Sequence, residues 1–466
     1  MNFKNTYCNP LKLENYPKGY EMPPHRSLAD PSVLFYDGKW YMYPSYEMAY
    51  VSEDFIHWEH HEIEPRDIGY APTIVKHRDK IYLYGKNGNL YVSDDPLGPF
   101  EKIGPIKLED GTPLNATFDP MIFADEDGCV YIYYAIARRF NEKTDVSIWG
   151  IELDADDLTR ELGAAKCLVR FDNTHKWECF GERNQNTALS WIEGPWMIRK
   201  NGRYYLTYSA PGTHYGTYAM GAYYSDQGPL EGFVYQKNNP ICNKRFGLVR
   251  GGGHGCIVAG PKDTLWAFYT CPVKYAHMFE RCVAMDPVAI NADGELMVLE
   301  NTDAPQWAPG VKDDPYFQND TGLIPLTYNE VVSATSCAPG RDALYAVDES
   351  MLTWWQPLPE DEDRTLTVSL WGRYAVSAAR VIWRDVDMNY EGGILPGPFQ
   401  YKIEVSTDRE NWLTVVDKTE NQKDYKFDYE VFDTVEATHA RLVICGTPEG
   451  IQPGVISFTV FGRAES

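Results

Sequence analysis

The sequence predicts an all-β protein: a five-bladed β-propeller followed by a β-sandwich, or jelly-roll, domain. Aromatic residues make up 14% of the 466 residues, which suits strands because pleated sheets favour aromatic side chains. One plan of short strands and turns recurs five times over residues 28–300. A sheet of this size cannot bury both faces alone, so five units arranged around an axis form a closed propeller.

The first repeat shows the plan. It starts with Asp-Pro at 30–31, followed by an apolar run at 32–36 and an Asp-Gly turn at 37–38. An aromatic strand at 40–45, a third strand at 48–52 and a polar exit at 53–58 complete it. An Asp-Gly pair between two apolar runs is a strong hairpin signal. Residues 1–27 contain scattered Pro and Gly without periodicity, so they are predicted to be irregular.

The other four repeats begin at Ala71-Pro72, Asp119-Pro120, Glu193-Gly194-Pro195 and the glycine-rich stretch 251–255. After them the pattern changes. Pro and Gly breaks in residues 301–328 predict a linker, or a strap that crosses the propeller. Residues 329–466 return to short alternating strands with turn signals, which are typical of a β-sandwich.

Composition limits the class of partner. The formal net charge of −24 argues against nucleic acids and anionic membranes, since neither binds a strongly acidic surface readily. The ten cysteines have no zinc-ligand spacing. The N-terminus lacks the apolar core of a signal peptide, and no apolar run is long enough to cross a bilayer. We therefore expect a soluble, cytoplasmic protein with a neutral substrate or a protein partner.

Acidic residues stand at the start of three of the five repeats: Asp30, Asp119 and Glu193. A propeller directs the first residues of every inner strand at one central pocket, so these acids and His254 are expected to meet there. Ala71 and Gly253 are expected at the related positions of the other two blades.

Glu193 lies between two tryptophans of the sequence, Trp191 and Trp196, and burial against such rings would raise the pKa of its carboxyl. Glu193 is therefore the candidate proton donor. The alternative is ordinary turn chemistry, in which Asp-Pro and Glu-Gly-Pro only start a strand and the acids are solvated.

Taken together, the motifs A-D-P-S, Y-A-P, F-D-P-M, E-G-P-W-M and G-G-H-G, at 29–32, 70–72, 118–121, 193–197 and 252–255, resemble glycoside hydrolase family 43. The resemblance implies a five-bladed propeller that removes arabinose, xylose or galactose units with inversion. It further implies that Asp30 is the general base, Glu193 the general acid, and Asp119 a third acid that orients the donor and adjusts its pKa. As a nearby anion, Asp119 would raise the pKa of Glu193 by like-charge repulsion. Inversion needs the base and the acid about 6.5–9.5 Å apart, with a water between them.

The same resemblance suggests further residues of the pocket. His254 matches a histidine that lies under the pocket, either near a calcium ion or a water, or as a purely structural hydrogen-bonding residue. Arg281 matches an arginine that reaches the sugar, with a surface or strand-pairing role as the alternative. Tyr70 stands where the family commonly has tryptophan. Trp40 is a further candidate for substrate binding, with His214 and Tyr215 as neighbours. No cofactor is expected to be required; a structural calcium ion at the propeller axis, held by His254 through water, is left open beside the favoured interpretation of His254 as a structural hydrogen-bonding residue.

The C-terminal region resembles the discoidin, or coagulation factor 5/8 C-terminal, family. The similarity rests on Thr353-Trp354-Trp355, on 406–412 and on Ala440-Arg441-Leu442. Modules of this family sometimes bind glycans in hydrolases. The tryptophan pair is equally consistent with a core position, and a structural role of the domain is the favoured interpretation.

Two functions of different classes follow. The first is an exo-acting inverting glycosidase that releases arabinofuranosyl, xylosyl or galactosyl units from plant-type oligosaccharides. The second is a carbohydrate-binding propeller without turnover, which the presence of all three acids disfavours. A retaining enzyme acting on fructosyl bonds is a third reading, and it would need carboxyl groups only about 5–5.5 Å apart.

Overall fold

The computed structural model describes residues 3–19, 25–114, 117–140, 143–274 and 276–464. Five antiparallel sheets of four strands each form the blades of a propeller, and a larger antiparallel sheet assembly forms the C-terminal domain. The predicted fold class is therefore confirmed. Among the described residues, no helix has the length and apolar character needed to span a membrane.

The N-terminal segment contributes β1 (Thr6–Tyr7). The propeller strands follow in sequence order, so that each blade is a simple meander. Blade 1 contains β2 (Ser32–Tyr36), β3 (Lys39–Tyr43), β4 (Met48–Ser52) and β5 (Glu59–Glu62); blade 2 contains β6 (Thr73–His77), β7 (Lys80–Tyr84), β8 (Asn89–Ser93) and β9 (Glu101–Pro105). Blade 3 contains β10 (Thr117–Ala124), β11 (Val130–Phe140), β12 (Lys143–Asp154) and β13 (Asp157–Arg170). Blade 4 contains β14 (Glu193–Lys200), β15 (Arg203–Ala210), β16 (Ala219–Ser225) and β17 (Val234–Tyr235); blade 5 contains β18 (Gly253–Ala259), β19 (Leu265–Pro272), β20 (Arg281–Ile290) and β21 (Leu296–Val298).

The remaining elements belong to the strap and the C-terminal domain. They are β22 (Gln306–Trp307), the one-turn helix α1 (Pro315–Gln318), β23 (Ile324–Pro325), β24 (Val332–Ala334), β25 (Thr365–Val386), β26 (Gln400–Ser406), β27 (Leu413–Asp417), β28 (Phe427–Gly446) and β29 (Gln452–Ala464). Short 3₁₀ turns lie at Lys176–Glu178, Pro261–Asp263 and Ala343–Ala346.

The long strands β25 and β28 are shared by the two halves of the sandwich. Their first pairing, Thr365 to Ser369 against Val443 to His439, also holds β24 and β26. After a break in register at Ser369/Tyr374, the second half of β25 pairs with β29 as well. One hydrophobic core fills the space between the halves, and it includes Trp355 and Trp383. Trp354 is also buried, at 4% exposure, so both members of the tryptophan pair are core residues.

The N-terminal segment is tied into the propeller more tightly than its irregular sequence suggested. Strand β1 pairs with β22 of the strap, and the side chains of Tyr7, Leu11, Leu13 and Tyr16 are buried in the main core. The carboxylate of Asp286 in blade 5 accepts hydrogen bonds from the hydroxyls of Tyr7 and Thr302. Blade 5, the N-terminal segment and the strap therefore meet at one buried acid.

Candidate active site

A backbone bend opens the inner strand of every blade. The residues at the bend have positive φ: 57° at Asp30, 49° at Ala71, 52° at Asp119, 59° at Gly194 and 31° at His254. Side chains other than glycine rarely adopt such values, because the Cβ atom crowds the backbone. Four strained residues that gather around one axis are typical of a functional site, where the surrounding structure holds them in place.

The bend also interrupts the strand pairing and corrects the predicted alignment of the blades. Pairing is broken between Phe118 and Met121, and again between Glu193 and Trp196. Glu193 precedes the bend residue of its blade, so it is equivalent to Tyr70 and Phe118, not to the two aspartates. The expectation that Gly253 takes the related position of Asp30 in blade 5 was wrong by one residue, since His254 does.

Gly194 is required by its surroundings as well as by its φ angle. A Cβ atom added there would come within 2.8 Å of the ring of His254. Because no side chain separates them, the bend of blade 4 packs directly against His254, next to Glu193.

The bends surround a cavity of about 800 Å³, within the usual size of ligand sites. Six of the seven predicted site residues line it: Asp30, Tyr70, Asp119, Glu193, His254 and Arg281. Its walls are largely aromatic, with Tyr46, Phe118, Phe180, Trp191 and Phe279 among the lining residues.

Asp30 is held as a carboxylate. Its side chain is 4% exposed and lies 3.2 Å from the guanidinium Nη1 of Arg281, through both oxygens, and 3.2 Å from Nδ1 of His254. The hydroxyl of Ser45 donates a hydrogen bond to Oδ2 at 2.6 Å. Burial alone would raise the pKa of Asp30, but the charges of Arg281 and His254 and the hydrogen bond from Ser45 keep it below its usual value. Asp30 can therefore accept a proton.

Asp119 lies on the other side of the same histidine. Its Oδ2 is 3.4 Å from Nδ1 of His254 and accepts a hydrogen bond from the backbone N–H of Gly194 at 3.3 Å. Burial, and then the negative charge of Asp30, raises the pKa of Asp119 to about 8. Asp119 was expected to act as an anion at neutral pH. Its surroundings instead favour the protonated carboxyl.

Glu193 is the second buried acid that keeps its proton. It is 8% exposed, and Tyr218 donates a hydrogen bond to its Oε1 at 2.6 Å. Burial, and then repulsion from Asp119 once that carboxyl ionises, raises the pKa of Glu193 to about 8. The site thus combines one ionised carboxylate with one carboxylic acid that is available as a donor, which is the division of roles that acid–base catalysis needs.

Apart from Trp40, the other predicted pocket residues lie in or beside the cavity. Tyr70 lines the cavity, and burial together with the charges of Asp119, Asp30 and Glu193 raises its pKa to about 12. Arg281 lines the cavity and contacts the carboxylate of Asp30. His214 lines the cavity, and Tyr215 packs against the ring of His214 at 4.0 Å between ring centres.

Trp40 was placed wrongly. Its ring is 7% exposed, packs against Phe55 and Phe35, and its indole N–H donates to the carbonyl of Ala259 at 3.1 Å. Trp40 is a core residue between blades, and it does not belong to the set that lines the cavity. Its aromatic strand carries the same composition as the core of every blade, which is why the sequence could not separate the two positions.

Several residues of the site were not predicted, among them Ser45, Lys86, Phe118 and Tyr218. Ser45 and Tyr218 donate to Asp30 and Glu193. Lys86 lies 5.3 Å from the ring centre of Tyr70, and Phe118 stacks on Trp191. Only Phe118 had a usable signal, because it directly precedes the Asp-Pro motif of blade 3.

Direct ligation of a calcium ion at the propeller axis is not supported by the donor atoms present. Nδ1 of His254 faces two carboxyl groups, at 3.2 and 3.4 Å, and calcium prefers six to eight oxygen ligands. Within the described ranges, no group of three or more His, Cys, Asp or Glu side chains is arranged to hold a metal ion. A calcium ion held through water stays a prediction, and no chemical step below depends on one.

A second, larger cleft of about 930 Å³ lies between blade 1, the N-terminal segment and the sandwich. Lysines in its wall are engaged in ion pairs, with Lys39 bound to Glu53 and Lys12 bound to Asp428. None of the three acids lines it. The cavity at the propeller axis is therefore the candidate active site, although it is the smaller of the two.

The comparisons with known proteins agree with this geometry. The sequence model described as "Glycosyl hydrolases family 43" matches residues 21–296, which is more than half of the chain. The chain belongs to this family, and it is a glycosidase. A second model, described as "NedA-like, galactose-binding domain", matches residues 345–442, so the C-terminal region is a discoidin-like domain.

Individual relatives are similar to about half of the chain or more. A xylosidase/arabinosidase of Bacteroides ovatus is 24% identical in an alignment of 342 positions that covers 59% of this chain and 96% of that protein. A beta-xylosidase of Xylanibacter ruminicola is 23% identical in an alignment of 281 positions that covers 46% of this chain and 79% of the relative. The crystal structure of a thermostable family-43 glycoside hydrolase is 25% identical, with a TM-score of 0.54 over 66% of this chain and 100% of that one.

The pKa of Glu193 predicts the alkaline limit of activity. A proton donor must be protonated, so kcat/KM should fall as the pH rises through about 8. In Tyr218→Phe the ionised form of Glu193 loses a hydrogen bond, so its pKa should rise and the alkaline limb should move up by about one pH unit. The measurement is a pH profile of kcat/KM for the parent and the variant.

Tyr205→Phe is the matched control for this prediction. The hydroxyl of Tyr205 donates to the carbonyl of Gly294 at 2.9 Å, away from the cavity, so this variant should keep the parent profile. An alkaline limb that does not move in Tyr218→Phe, or that moves equally in Tyr205→Phe, would contradict the assignment.

Proposed function

We propose that the protein is an exo-acting, inverting glycosidase that releases arabinofuranosyl, xylosyl or galactosyl units from plant-type oligosaccharides. The observation that carries the proposal is the pairing, in one cavity, of a carboxylate with a lowered pKa, Asp30, and a carboxyl with a raised pKa, Glu193. Relatives named xylosidase/arabinosidase support the choice of sugars.

The reaction uses these groups in one displacement. Asp30 accepts a proton from a water molecule, and the water oxygen forms a bond to the anomeric carbon. The bond from that carbon to the leaving oxygen breaks, and Glu193 transfers its proton to this oxygen. Because water enters on the face opposite the leaving group, the released sugar has the inverted anomeric configuration.

The position of the proton donor defines the leaving-group side of the cavity. The aromatic rings of Phe118 and Trp191 stack with 5.3 Å between their centres and an interplanar angle of 29°. Both line the cavity, and Trp191 is two residues from Glu193. Apolar sugar faces stack on such rings. The pair Phe118 and Trp191, here called the aromatic platform, is therefore proposed to bind the leaving group, which is the rest of the oligosaccharide.

Leaving groups of different basicity test the two acids separately. Glu193→Gln should lower kcat/KM by about 10²–10⁴-fold for a phenyl glycoside, which needs protonation, and far less for a dinitrophenyl glycoside, which does not. Asp30→Asn should lower both equally, since water must be activated in either case. The assay covers α-L-arabinofuranosides, β-D-xylosides, β-D-galactosides and β-D-galactofuranosides.

Glu126→Gln serves as the control for these variants, because the side chain of Glu126 is 81% exposed at the tip of blade 3. It should retain parent activity on both leaving groups. Equal losses of Glu193→Gln on phenyl and dinitrophenyl substrates would exclude Glu193 as the proton donor, and full activity of Asp30→Asn would exclude the proposed reaction.

Removal of the aromatic platform should affect only substrates with a ring in the leaving group. Trp191→Ala is expected to lower kcat/KM for an oligosaccharide by about 3- to 10-fold, with little change for a glycosyl fluoride, whose leaving group cannot stack. Trp371→Ala, at a tryptophan 70% exposed in the sandwich, should change neither. If Trp191→Ala lowered kcat/KM equally for the oligosaccharide and the glycosyl fluoride, the aromatic platform would bind the released sugar and not the leaving group.

A further inference from the structure

A buried ion pair joins the C-terminal domain to the residue next to Arg281. Oε1 of Glu280 lies 2.9 Å from Nζ of Lys426 and 3.7 Å from Nη1 of Arg384, both in the sandwich. The side chains of Glu280 and Lys426 are only 1% and 2% exposed. Oε2 of Glu280 accepts a hydrogen bond from the backbone N–H of Ala276 at 2.6 Å, so the same carboxylate also holds the chain that leads into β20.

A second buried contact fixes the segment in front of Asp30. Arg26, with 1% exposure, lies 3.1 Å from Asp385 and 2.6 Å from Asp424 of the sandwich. The two residues after Arg26 contact Arg281. The Nε of Arg281 donates to the hydroxyl of Ser27 at 3.4 Å, and the carbonyl of Arg281 accepts from the backbone N–H of Leu28 at 3.2 Å. Both chain segments that carry the Asp30–Arg281 contact are therefore anchored in the sandwich.

Because Glu280 is buried and charged, the chain around it is stable in only one position relative to the sandwich. Burial would raise the pKa of Glu280, but Lys426 and Arg384 hold it below its usual value, so the group is ionised at neutral pH. A buried ionised group that loses its partner is strongly disfavoured. The chain around Glu280 is therefore stable only where Lys426 and Arg384 can reach it.

We propose that Lys426 and Arg384 of the C-terminal domain are positioning residues, which act through Glu280 to place Arg281 against Asp30. The proposal rests on the proposed function, because it assumes that Asp30 is the general base. It gives the discoidin-like domain a role in the reaction that does not depend on glycan binding. Met278 and Phe279, which line the cavity, directly precede Glu280 in the chain.

Several groups determine the protonation of Asp30. Those that act on it or respond to its charge are Arg281, His254, Asp119, Glu193, Tyr70 and Tyr218. Of these, only Arg281 adjoins Glu280 in the chain. If Arg281 moves away, the carboxylate of Asp30 loses the guanidinium that lies 3.2 Å from it, and the pKa of Asp30 rises. The acid limb of kcat/KM, where the base must lose its proton, then moves to higher pH.

The test compares two lysines at the same domain interface. Lys426→Met leaves Glu280 without its main cation, and Lys12→Met does the same to Asp428, which is 2% exposed and 2.8 Å from Nζ of Lys12. Both variants should lower the melting temperature of the full-length protein. Lys426→Met should also lower kcat by about 10- to 100-fold, leave KM within about twofold, and move the acid limb upward. Lys12→Met should retain the parent kcat and profile, and Lys426→Arg should recover most of the parent kcat.

A charge-neutral double variant separates positioning from stability. Glu280→Gln with Lys426→Met removes both charges of the buried pair and leaves only Arg384, which is 15% exposed, facing a neutral amide. The double variant should therefore regain much of the lost stability while kcat stays low and the acid limb stays displaced. If the double variant regains both, or if Lys426→Met and Lys12→Met reduce kcat equally with unchanged acid limbs, the contact is only structural and the proposal is overturned. Asp30→Asn, measured in parallel, reports on the proposed function itself: an active Asp30→Asn would refute both, whereas an inactive one confines a failure to the positioning role.

Discussion

The bend at the start of each inner strand is the constraint on which the site depends. In a regular strand, successive side chains point to opposite faces, so Tyr70 and Ala71, or Phe118 and Asp119, would lie on different sides. With positive φ at the bend residue, as at Asp30 and Asp119, two consecutive positions of a blade can both reach the axis. One position supplies Asp30, Asp119 and His254, and the preceding one supplies Tyr70, Phe118 and Glu193.

Burial and nearby charge then determine which of the three acids is ionised. All three acids lie in a cavity that is largely aromatic, where an ionised carboxyl is costly unless a cation is near. Arg281 stands against Asp30 and not against Glu193, so Asp30 is ionised and Glu193 keeps its proton. Asp119, between them, shares His254 with Asp30. The placement of one arginine therefore distinguishes the ionised acid from the protonated one, and this arginine directly follows Glu280, which is paired with Lys426 of the C-terminal domain.

Much of this could be predicted from the sequence, because the signals are local and repeated. Asp-Pro and Asp-Gly pairs recur at fixed places in the blades, and they led to the propeller and to Asp30, Asp119 and Glu193. What failed depends on distant contacts. Tyr218 is one of 33 tyrosines and has no local mark, while Glu280 and Lys426 are 146 residues apart. Trp40 was misplaced because core and pocket aromatics look alike in such strands. The one-residue error at Gly253 arose because the bend is visible only in the backbone.

The N-terminal segment shows the same limit from another side. Its Pro-rich sequence correctly indicated little regular structure, yet Leu11 and Tyr16 are buried in the main core, and Arg26 reaches into the sandwich. Segments without periodicity can still be rigid when their side chains are buried, and here that rigidity extends to within four residues of Asp30. Fold class is thus readable from local pattern, whereas the support of an active site is not.

The configuration of the first product formed tests the central claim most directly. If Asp30 activates water on the face opposite Glu193, a proton NMR time course on the preferred aryl glycoside must show the inverted anomer first, with the other anomer appearing only by later mutarotation. Initial release of the anomer with the configuration of the substrate would mean that a carboxylate attacks the sugar itself, and it would contradict the assignment of Asp30 as a general base.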